Sequence, residues 1–562
     1  MVGKVSPSTN SHQLVHLLTV RLTYNHERMS TLGISFLGFL GLFLGVGIYS
    51  ATRMKKSAED YLVASRSVKP WLAALSAVAT NNSGFMFIGL IGSTFVAGLS
   101  SMWVMIGWVV GDYIAWRVGI PKRLRIESEK NGAVTIPSFL GLGLSGGRLV
   151  TVTAGIVTLI FLGIYAAAQL NAGGKALYTL FGWHEVVGAI LGTFVVVIYC
   201  FAGGIRASIW TDAAQSIVMI FSMSLLFFAC LNAVGGFDGM WTRLADMDPQ
   251  LTAVFPDSPQ FGIIMFIIGW MFAGFGIVGQ PHVMVRMMSM ESADNMDSAR
   301  RVYLGFNLLL AVFAIGLGLA ARAFLPDLDT LSLQNVAELF ASCSSGQGSV
   351  IPEACAQAQE MWANSAANVP PTTDALQHTY LWFVNNTWTV FDPELAMPIV
   401  ARELMPEVIV GLCLAGLFAA TMSTADSQIL SCSAALTQDI FPKASQSYVL
   451  VKAGTLFVAV ISLGVALYAT LAGGEGGGVF SLVVLAWASL AAGLGPMLVL
   501  RCFHVTVPGK VGFLIVVSGV AGVLVWRYGL GLTGAIYDVL PGMLLGFGTY
   551  GLWRLFTKKG QH

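Results

Sequence analysis

Long apolar segments with almost no charge run through the whole chain. A helix needs roughly 20 mainly apolar residues to cross a bilayer, and thirteen segments meet this condition. The predicted spans are residues 31–52, 70–97, 101–120, 149–180, 185–205, 208–232, 260–282, 302–325, 406–440, 448–472, 477–502, 511–527 and 534–556. They leave no room for a soluble domain, so the sequence predicts an all-α integral membrane protein.

The composition excludes several other classes of protein. Charged residues make up 10% of the 562 residues, whereas a soluble domain has about 25%. This deficit excludes a water-soluble enzyme and a disordered chain. The net charge of +1 provides no basic field for nucleic acid, so no nucleic-acid partner is expected. No HExxH metal motif occurs, and His282 stands alone after a proline, so we do not expect an enzyme.

The basic residues predict the orientation in the membrane. Most of the 30 Lys and Arg residues fall in one set of alternate connections between spans, including the segment after span 7 that contains Arg286. Since cytoplasmic loops carry the excess of Lys and Arg, the N-terminus is expected outside and the C-terminus in the cytoplasm. Residues 1–30 form a polar extension, and we expect synthesis to begin at Met29.

One large external loop is predicted between spans 8 and 9, at residues 326–400. It carries acidic residues and no Lys or Arg. The acidic side chains fit ordinary solvation or a vestibule that attracts cations, and the sequence leaves both open. Cys343 and Cys355 lie in this loop, and a disulfide between them is expected if this face is periplasmic or extracellular.

Two spans contain segments that look irregular. Span 2 has four polar residues and a glycine in Ala79–Gly84, and span 7 has closely spaced glycines before Pro281. Without span 1, spans 2–6 and 7–11 form two groups of five, and each irregular segment falls in the first helix of its group. Paired interrupted helices in corresponding halves indicate a transporter's binding site. The predicted organisation is an extension at 1–30, an extra helix at 31–52, five-helix repeats at 70–232 and 260–502, and two C-terminal helices at 511–556.

Span 9 has a face of small and hydroxyl-bearing residues. Ala420, Ser423, Thr424 and Ser427 are three or four residues apart and share one helix face. Such a face can bind a small alkali cation through its oxygens, or can hold two helices together by hydrogen bonds.

Four carboxylates lie in or near the spans. Asp212 and Asp426 are candidate functional residues. An ionisable side chain within a span is costly to bury, so its presence there is taken as the hypothesis of a function. Asp112 and Asp439 are expected nearer the interfaces, with no role in a site.

Several stretches resemble a known family. They are Glu59–Tyr61, Ser76–Gly84, Trp210–Gln215, Gly279–His282, Met422–Gln428 and Thr437–Asp439. Their order resembles the sodium:solute symporter family, most closely its sodium/proline symporter branch. The resemblance implies a leucine-transporter-type fold, with a 5+5 inverted repeat and a discontinuous first helix in each repeat. It also implies Na+-coupled import of a small solute by alternating access, in the plasma (inner) membrane.

The resemblance also implies the ligands of the ions. One sodium ion would be bound by the carbonyls of Ala79, Asn82 and Ala420 and the hydroxyls of Ser423 and Thr424. A second sodium ion, present in some members, would lie at Asp212, Asp426 and Ser427 together with Ser423.

The solute is less well defined than the ion. Proline or a related amino acid is expected, although Asn81 replaces an Asp of the proline branch and matches sugar-carrying relatives. A sugar, pantothenate or a carboxylate remain alternatives, as does a membrane solute sensor, for which no attached signalling domain is expected. The expected substrate cavity consists of Asn81, Ser83, Tyr165, Gln169, Trp270, Phe275 and Gln280.

Overall fold

A computed structural model describes residues 26–181, 183–256, 259–325, 393–471, 479–533 and 535–558. Nearly all of these residues are helical. The α-helices are α1 His26–Ala51, α2 Ala58–Val63, α3 Pro70–Gly84, α4 Ile91–Ala97, α5 Met102–Arg117, α6 Ile120–Lys130, α7 Ile136–Gly141, α8 Gly147–Phe181, α9 Glu185–Ala233, α10 Gly236–Met247, α11 Gly262–Phe275, α12 Pro281–Met288, α13 Met296–Phe324, α14 Ala396–Leu404, α15 Glu407–Ala434, α16 Tyr448–Leu471, α17 Val479–Cys502, α18 Gly509–Leu524 and α19 Val539–Lys558. Residues 1–25 lie outside the described residues. The predicted disulfide between Cys343 and Cys355 lies outside them as well.

Ten helical stretches of the described chain are long and apolar enough to cross a membrane. Two of them, Pro70–Arg117 and Val186–Ala233, are 48 residues long, and each covers two of the predicted spans. Each also contains a glycine with positive φ, Gly98 at +67° and Gly204 at +55°, where the helix is broken. The expected all-α membrane architecture is therefore present, and the number of thirteen crossings stays a prediction.

Both helices that the sequence marks as irregular are interrupted. In α3 the break is at Ser83, with φ 44° and ψ −177°, and a π-helical segment Phe85–Leu90 follows it. The second interruption follows α11, where Gly276–Gly279 form a 3-10 turn and Gln280 is extended before α12 begins. The predicted irregular segments are confirmed.

Neighbouring helices enclose both interruptions. The α3 helix packs against α9, α13 and α15, while α11 packs on α5 and the 3-10 turn after it packs on α17. Close approach requires glycine here, since a Cβ on Gly274 would lie 1.8 Å from the carbonyl oxygen of Trp108. The backbone groups released by the breaks are therefore surrounded by protein rather than lipid, as they must be at membrane depth.

Two arginine side chains connect the ends of the interrupted helices by hydrogen bonds. Arg66, just before α3, donates to the carbonyl of Met288 at the end of α12 (3.0 Å). Arg125 on α6 donates to the carbonyl of Met290 (2.6 Å) and pairs with Glu129 (2.7 Å). The Arg125 guanidinium lowers the pKa of the Glu129 carboxyl below its ordinary value. Both interrupted helices are thus anchored at the same side of the bundle.

Replacing Gly274 with alanine tests the close contact between α5 and α11. The added Cβ would overlap the Trp108 carbonyl, and overpacking of this kind costs about 1–3 kcal/mol. We expect Gly274→Ala to lower the temperature of thermal unfolding of the purified protein. Gly163→Ala is the control, because no described atom lies within 4 Å of a Cβ there. Equal unfolding temperatures for the two variants would contradict this packing.

Candidate functional site

The hydroxyl face of α15 meets the backbone of α3 just before its break. Ser423 Oγ lies 3.3 Å from the carbonyl oxygen of Ala79, and Thr424 Oγ1 donates to the carbonyl of Thr80 (3.0 Å). Both hydroxyl oxygens also lie 3.1 Å from the carbonyl oxygen of Ala420 one turn earlier, so each hydroxyl has two carbonyls within reach of its one hydrogen. All these residues are buried. The structure therefore joins α3 and α15 through side-chain hydroxyls and backbone carbonyls.

Asn82 differs from the other expected sodium ligands. Its carbonyl accepts the backbone N–H of Phe85, and its side-chain amide donates to the carbonyl of Val78 (2.8 Å). The carbonyl that meets α15 beside that of Ala79 belongs instead to Thr80. Sequence reasoning missed Thr80, because the register of the carbonyls depends on where the helix breaks.

Arg286 connects the residues that were expected to bind a second sodium ion. Asp212 Oδ2 accepts from Ser76 Oγ (2.7 Å) and forms an ion pair with Arg286 Nη2 (3.1 Å). The same guanidinium nitrogen donates to Ser427 Oγ, which in turn donates to Asp426 Oδ1 (2.7 Å). Asp212, Asp426 and Ser427 do lie together, around a permanently positive group.

Arg286 is not a loop residue, although the sequence placed it among the basic residues of a connection. Its side chain and that of Asp212 are both 0% exposed. Nε and Nη2 also donate to Ser76 Oγ (3.1 Å) and Ser208 Oγ (2.8 Å). A buried ion pair survives desolvation only with such additional hydrogen bonds. No local sequence pattern indicates this burial, because α12 is short and continues past the predicted end of its span.

Three expected substrate residues meet at the break in α3. Gln169 Oε1 accepts the backbone N–H of Gly84 (2.8 Å). Tyr165 OH donates to Ser83 Oγ (3.3 Å), and the Tyr165 ring lies edge-on to His282 with centroids 5.8 Å apart. Neither ring nitrogen of His282 has a hydrogen-bond partner among the described residues. His282 therefore joins this group, although the sequence left it as a helix-end residue.

Gln280 lies at the second interruption beside aromatic residues that the sequence did not single out. Its amide donates to the carbonyl of Trp487 (3.0 Å). The Trp487 ring lies 4.7 Å from that of Trp108, and Trp108 stacks on Phe85 at 5.8 Å. Buried aromatic residues are common in apolar helices, so neither tryptophan stood out before the fold was known.

Trp270 and Phe275 contact other aromatic residues. Trp270 stacks on Tyr537 at 4.7 Å with an interplanar angle of 13°, and the Phe275 ring lies 6.2 Å from that of Phe272. Within the described residues, neither has a recorded ring contact or side-chain hydrogen bond to the other five expected cavity residues. The helical part of α11 extends to Phe275, which directs Trp270 towards the segment before α19.

Asn81 points away from the hydroxyl joint. Its amide donates to Tyr303 OH (2.7 Å), and Tyr303 OH donates to Asp112 Oδ2 (2.8 Å). Asp112 is fully buried, because its turn of α5 packs on α13. Its expected depth near an interface of the membrane stays a prediction.

The family model for sodium:solute symporters matches residues 61–338 and 385–511. The chain belongs to the sodium:solute symporter family. It is therefore a multi-pass membrane protein that couples transport to sodium, and the family's members are transporters rather than enzymes.

Two relatives are similar over most of their length. The sodium/proline symporter of Escherichia coli (strain K12) is 28% identical over 506 residues, which is 89% of this chain and 88% of the relative. The high-affinity proline transporter PutP of Bacillus subtilis (strain 168) is 29% identical over 502 residues, which is 88% and 92%.

A solved structure confirms the expected fold class. A Na+-coupled sialic acid symporter, in a substrate-bound outward-open state, superposes with a TM-score of 0.66 at 19% identity, covering 92% of this chain and 97% of that one. The division of this chain into repeats at 70–232 and 260–502 stays a prediction.

The ion pair of Arg286 and Asp212 can be tested by a double-mutant cycle. Arg286→Gln or Asp212→Asn each removes one partner of the buried pair, and breaking such a pair costs about 3–5 kcal/mol. The double variant removes both charges, so we expect it to unfold at a higher temperature than either single variant. The matched control is Glu129→Gln, because the Glu129 side chain is 60% exposed and exposed pairs are worth about 0–1 kcal/mol. Additive losses in the double variant would contradict the pairing.

Proposed function

We propose that the protein imports L-proline, or a closely related amino acid, together with Na+ by alternating access. The proposal draws on membership of the family and on the names of the proline-transporting relatives. The observation that carries the ion part is the joint between α3 and α15, where the Ser423 and Thr424 hydroxyls meet backbone carbonyls at a helix break.

A sodium ion would hold α3 and α15 together by binding oxygen atoms from both helices. The oxygens at the joint come from Ala79, Thr80, Ala420, Ser423 and Thr424, and hard cations are bound by oxygen ligands of this kind. When the ion binds, the hydroxyl hydrogens turn away and the hydroxyl oxygens face the cation. The ion then holds the broken end of α3 against α15 and stabilises the state that accepts the solute. Coupling is reciprocal, so the solute must raise the affinity for sodium equally.

We place no sodium ion at Asp212, Asp426 and Ser427. The guanidinium of Arg286 already lies among these residues and neutralises Asp212. Its Nη2 lies within hydrogen-bond distance of both Asp212 and Ser427, so it stands where an ion shared by these residues would lie. A sodium ion there would have to displace the guanidinium.

The solute would bind between the two interruptions. Gln169 Nε2 and Gln280 Oε1 have no hydrogen-bond partner among the described residues, and buried polar groups are normally paired. The Gln169 amide can donate to a carboxylate, and the Gln280 carbonyl can accept from an ammonium group. Tyr165, Trp108 and Trp487 supply apolar surface for a small ring. This combination suits a zwitterion with an apolar body better than a sugar.

We place the protein in the plasma (inner) membrane, with its N-terminus outside and its C-terminus in the cytoplasm. The orientation follows from the bias of Lys and Arg among the connections, and the membrane is the one that the family resemblance implies. With inward transport, one charge moving through about 100 mV contributes about 2.3 kcal/mol. That energy corresponds to accumulation of about 50-fold before the chemical gradient of sodium is added.

Uptake into proteoliposomes tests the function. We expect an inward sodium gradient to drive accumulation of radiolabelled L-proline, and excess unlabelled amino acids to compete better than sugars, pantothenate or carboxylates. A potassium gradient of equal size is the control. If another solute class accumulates and proline does not, the substrate assignment is wrong. If no solute responds to the sodium gradient, the coupled-transport assignment is wrong.

The sodium joint can be tested separately. Ser423→Ala and Thr424→Ala each remove one ligand oxygen, so we expect each to raise the sodium concentration for half-maximal uptake by about tenfold. Ser216→Ala is the matched control, since this buried serine donates to Ala213 of its own helix (2.9 Å). Unchanged sodium dependence in both joint variants, with normal folding, would rule out this site.

A further inference from the structure

Asp112 is a buried carboxylate that belongs to neither of the two expected sodium sets. Its Oδ2 accepts hydrogen bonds from Tyr303 OH (2.8 Å) and from the side-chain amide of Asn307 (3.0 Å). Tyr303 OH in turn accepts from the Asn81 amide (2.7 Å). One chain of hydrogen bonds therefore connects α5, α13 and α3, and it reaches the segment of α3 that breaks at Ser83. We call these four residues the Asp112 cluster.

The cluster contains oxygen atoms that are not satisfied. Asp112 Oδ1, Asn81 Oδ1 and Asn307 Oδ1 are all buried and have no hydrogen-bond partner among the described residues. No Lys or Arg within the described part of the chain forms an ion pair with Asp112. An isolated buried carboxylate is very costly. A positive charge is therefore required when Asp112 is ionised.

A metal cation satisfies this cluster better than a proton does. A proton on Asp112 Oδ1 can make one hydrogen bond, so one of the two amide oxygens would still lack a partner. A hard cation accepts several oxygen ligands at once and can engage the carboxylate and both amides. Because the cluster has a single carboxylate, a monovalent ion neutralises it without leaving excess charge.

The position of the cluster suits a coupling ion. Asn81 lies between Ala79 and Asn82, on the same turn of α3 whose carbonyls meet α15. An ion at Asp112 would hold this turn against α5 and α13, whereas an ion at the hydroxyl joint holds it against α15. Both ions would therefore act on the same break in α3, from different sides.

We propose that Asp112, Asn81 and Asn307 bind a second sodium ion, separate from the one at the hydroxyl joint. This inference rests on the proposed function, since it assumes that the protein binds sodium. It places the second ion at a carboxylate that has no arginine partner, rather than at Asp212, which Arg286 neutralises.

Binding of radioactive sodium to the purified full-length protein tests the proposal. We expect the wild-type protein to bind two ions and Asp112→Asn to bind one. Asn307→Ala removes one ligand oxygen and keeps the carboxylate, so we expect it to weaken the second site by about tenfold. Asp439→Asn is the matched control, because this buried carboxylate accepts from Thr135 (2.8 Å) and lies outside the cluster. Thermal unfolding of each variant checks that it is folded.

The outcomes separate this inference from the proposed function. If Ser423→Ala removes one ion and Asp112→Asn removes the other, the second site is supported. If the wild type binds one ion that depends on Ser423 and not on Asp112, the inference is wrong and the proposed function stands. The inference is also wrong if Asp112→Asn binds as much sodium as the wild type and differs only in the number of protons released when sodium is added. That result would mean that Asp112 holds a proton and not a sodium ion. No sodium binding by the wild type overturns both.

Discussion

The site depends on the requirement that backbone groups inside a membrane protein be paired. A break in a helix at membrane depth frees N–H and C=O groups, and lipid cannot satisfy them. At Ser83 the freed groups find protein partners, because Gln169 accepts the N–H of Gly84 and the α15 hydroxyls donate to carbonyls just before the break. These partners are polar atoms held at low dielectric, which is the environment a desolvated ion and solute need.

The second constraint is that a carboxylate buried in the bundle needs a compensating positive charge. Asp212 and Asp112 meet this need in different ways. Asp212 is neutralised by a resident guanidinium with several hydroxyl partners. Asp112 has only uncharged donors, Tyr303 and Asn307, within the described residues. A fixed internal cation makes a carboxylate structural, whereas an unpaired carboxylate has to take its cation from outside. On this account the two carboxylates differ in function because of their partners and not because of their depth.

Local sequence patterns predicted much of the fold but only part of the site. Apolar segments of span length and the glycine-rich interruptions are local signals, so both irregular helices were found. Ser423 and Thr424 were also found, because the spacing along one helix defines their common face. Arg286 was misplaced and the partners of Asp112 were not foreseen, since burial beside a partner more than 70 residues away in sequence has no local signal.

Hydrogen–deuterium exchange over Ala79–Phe85 tests whether sodium holds the broken turn of α3 against α15. We expect slower exchange of these backbone amides in sodium than in potassium at equal ionic strength, and loss of that difference in Ser423→Ala. Identical exchange in the two salts, in protein that transports its solute, would show that sodium does not hold α3 against α15.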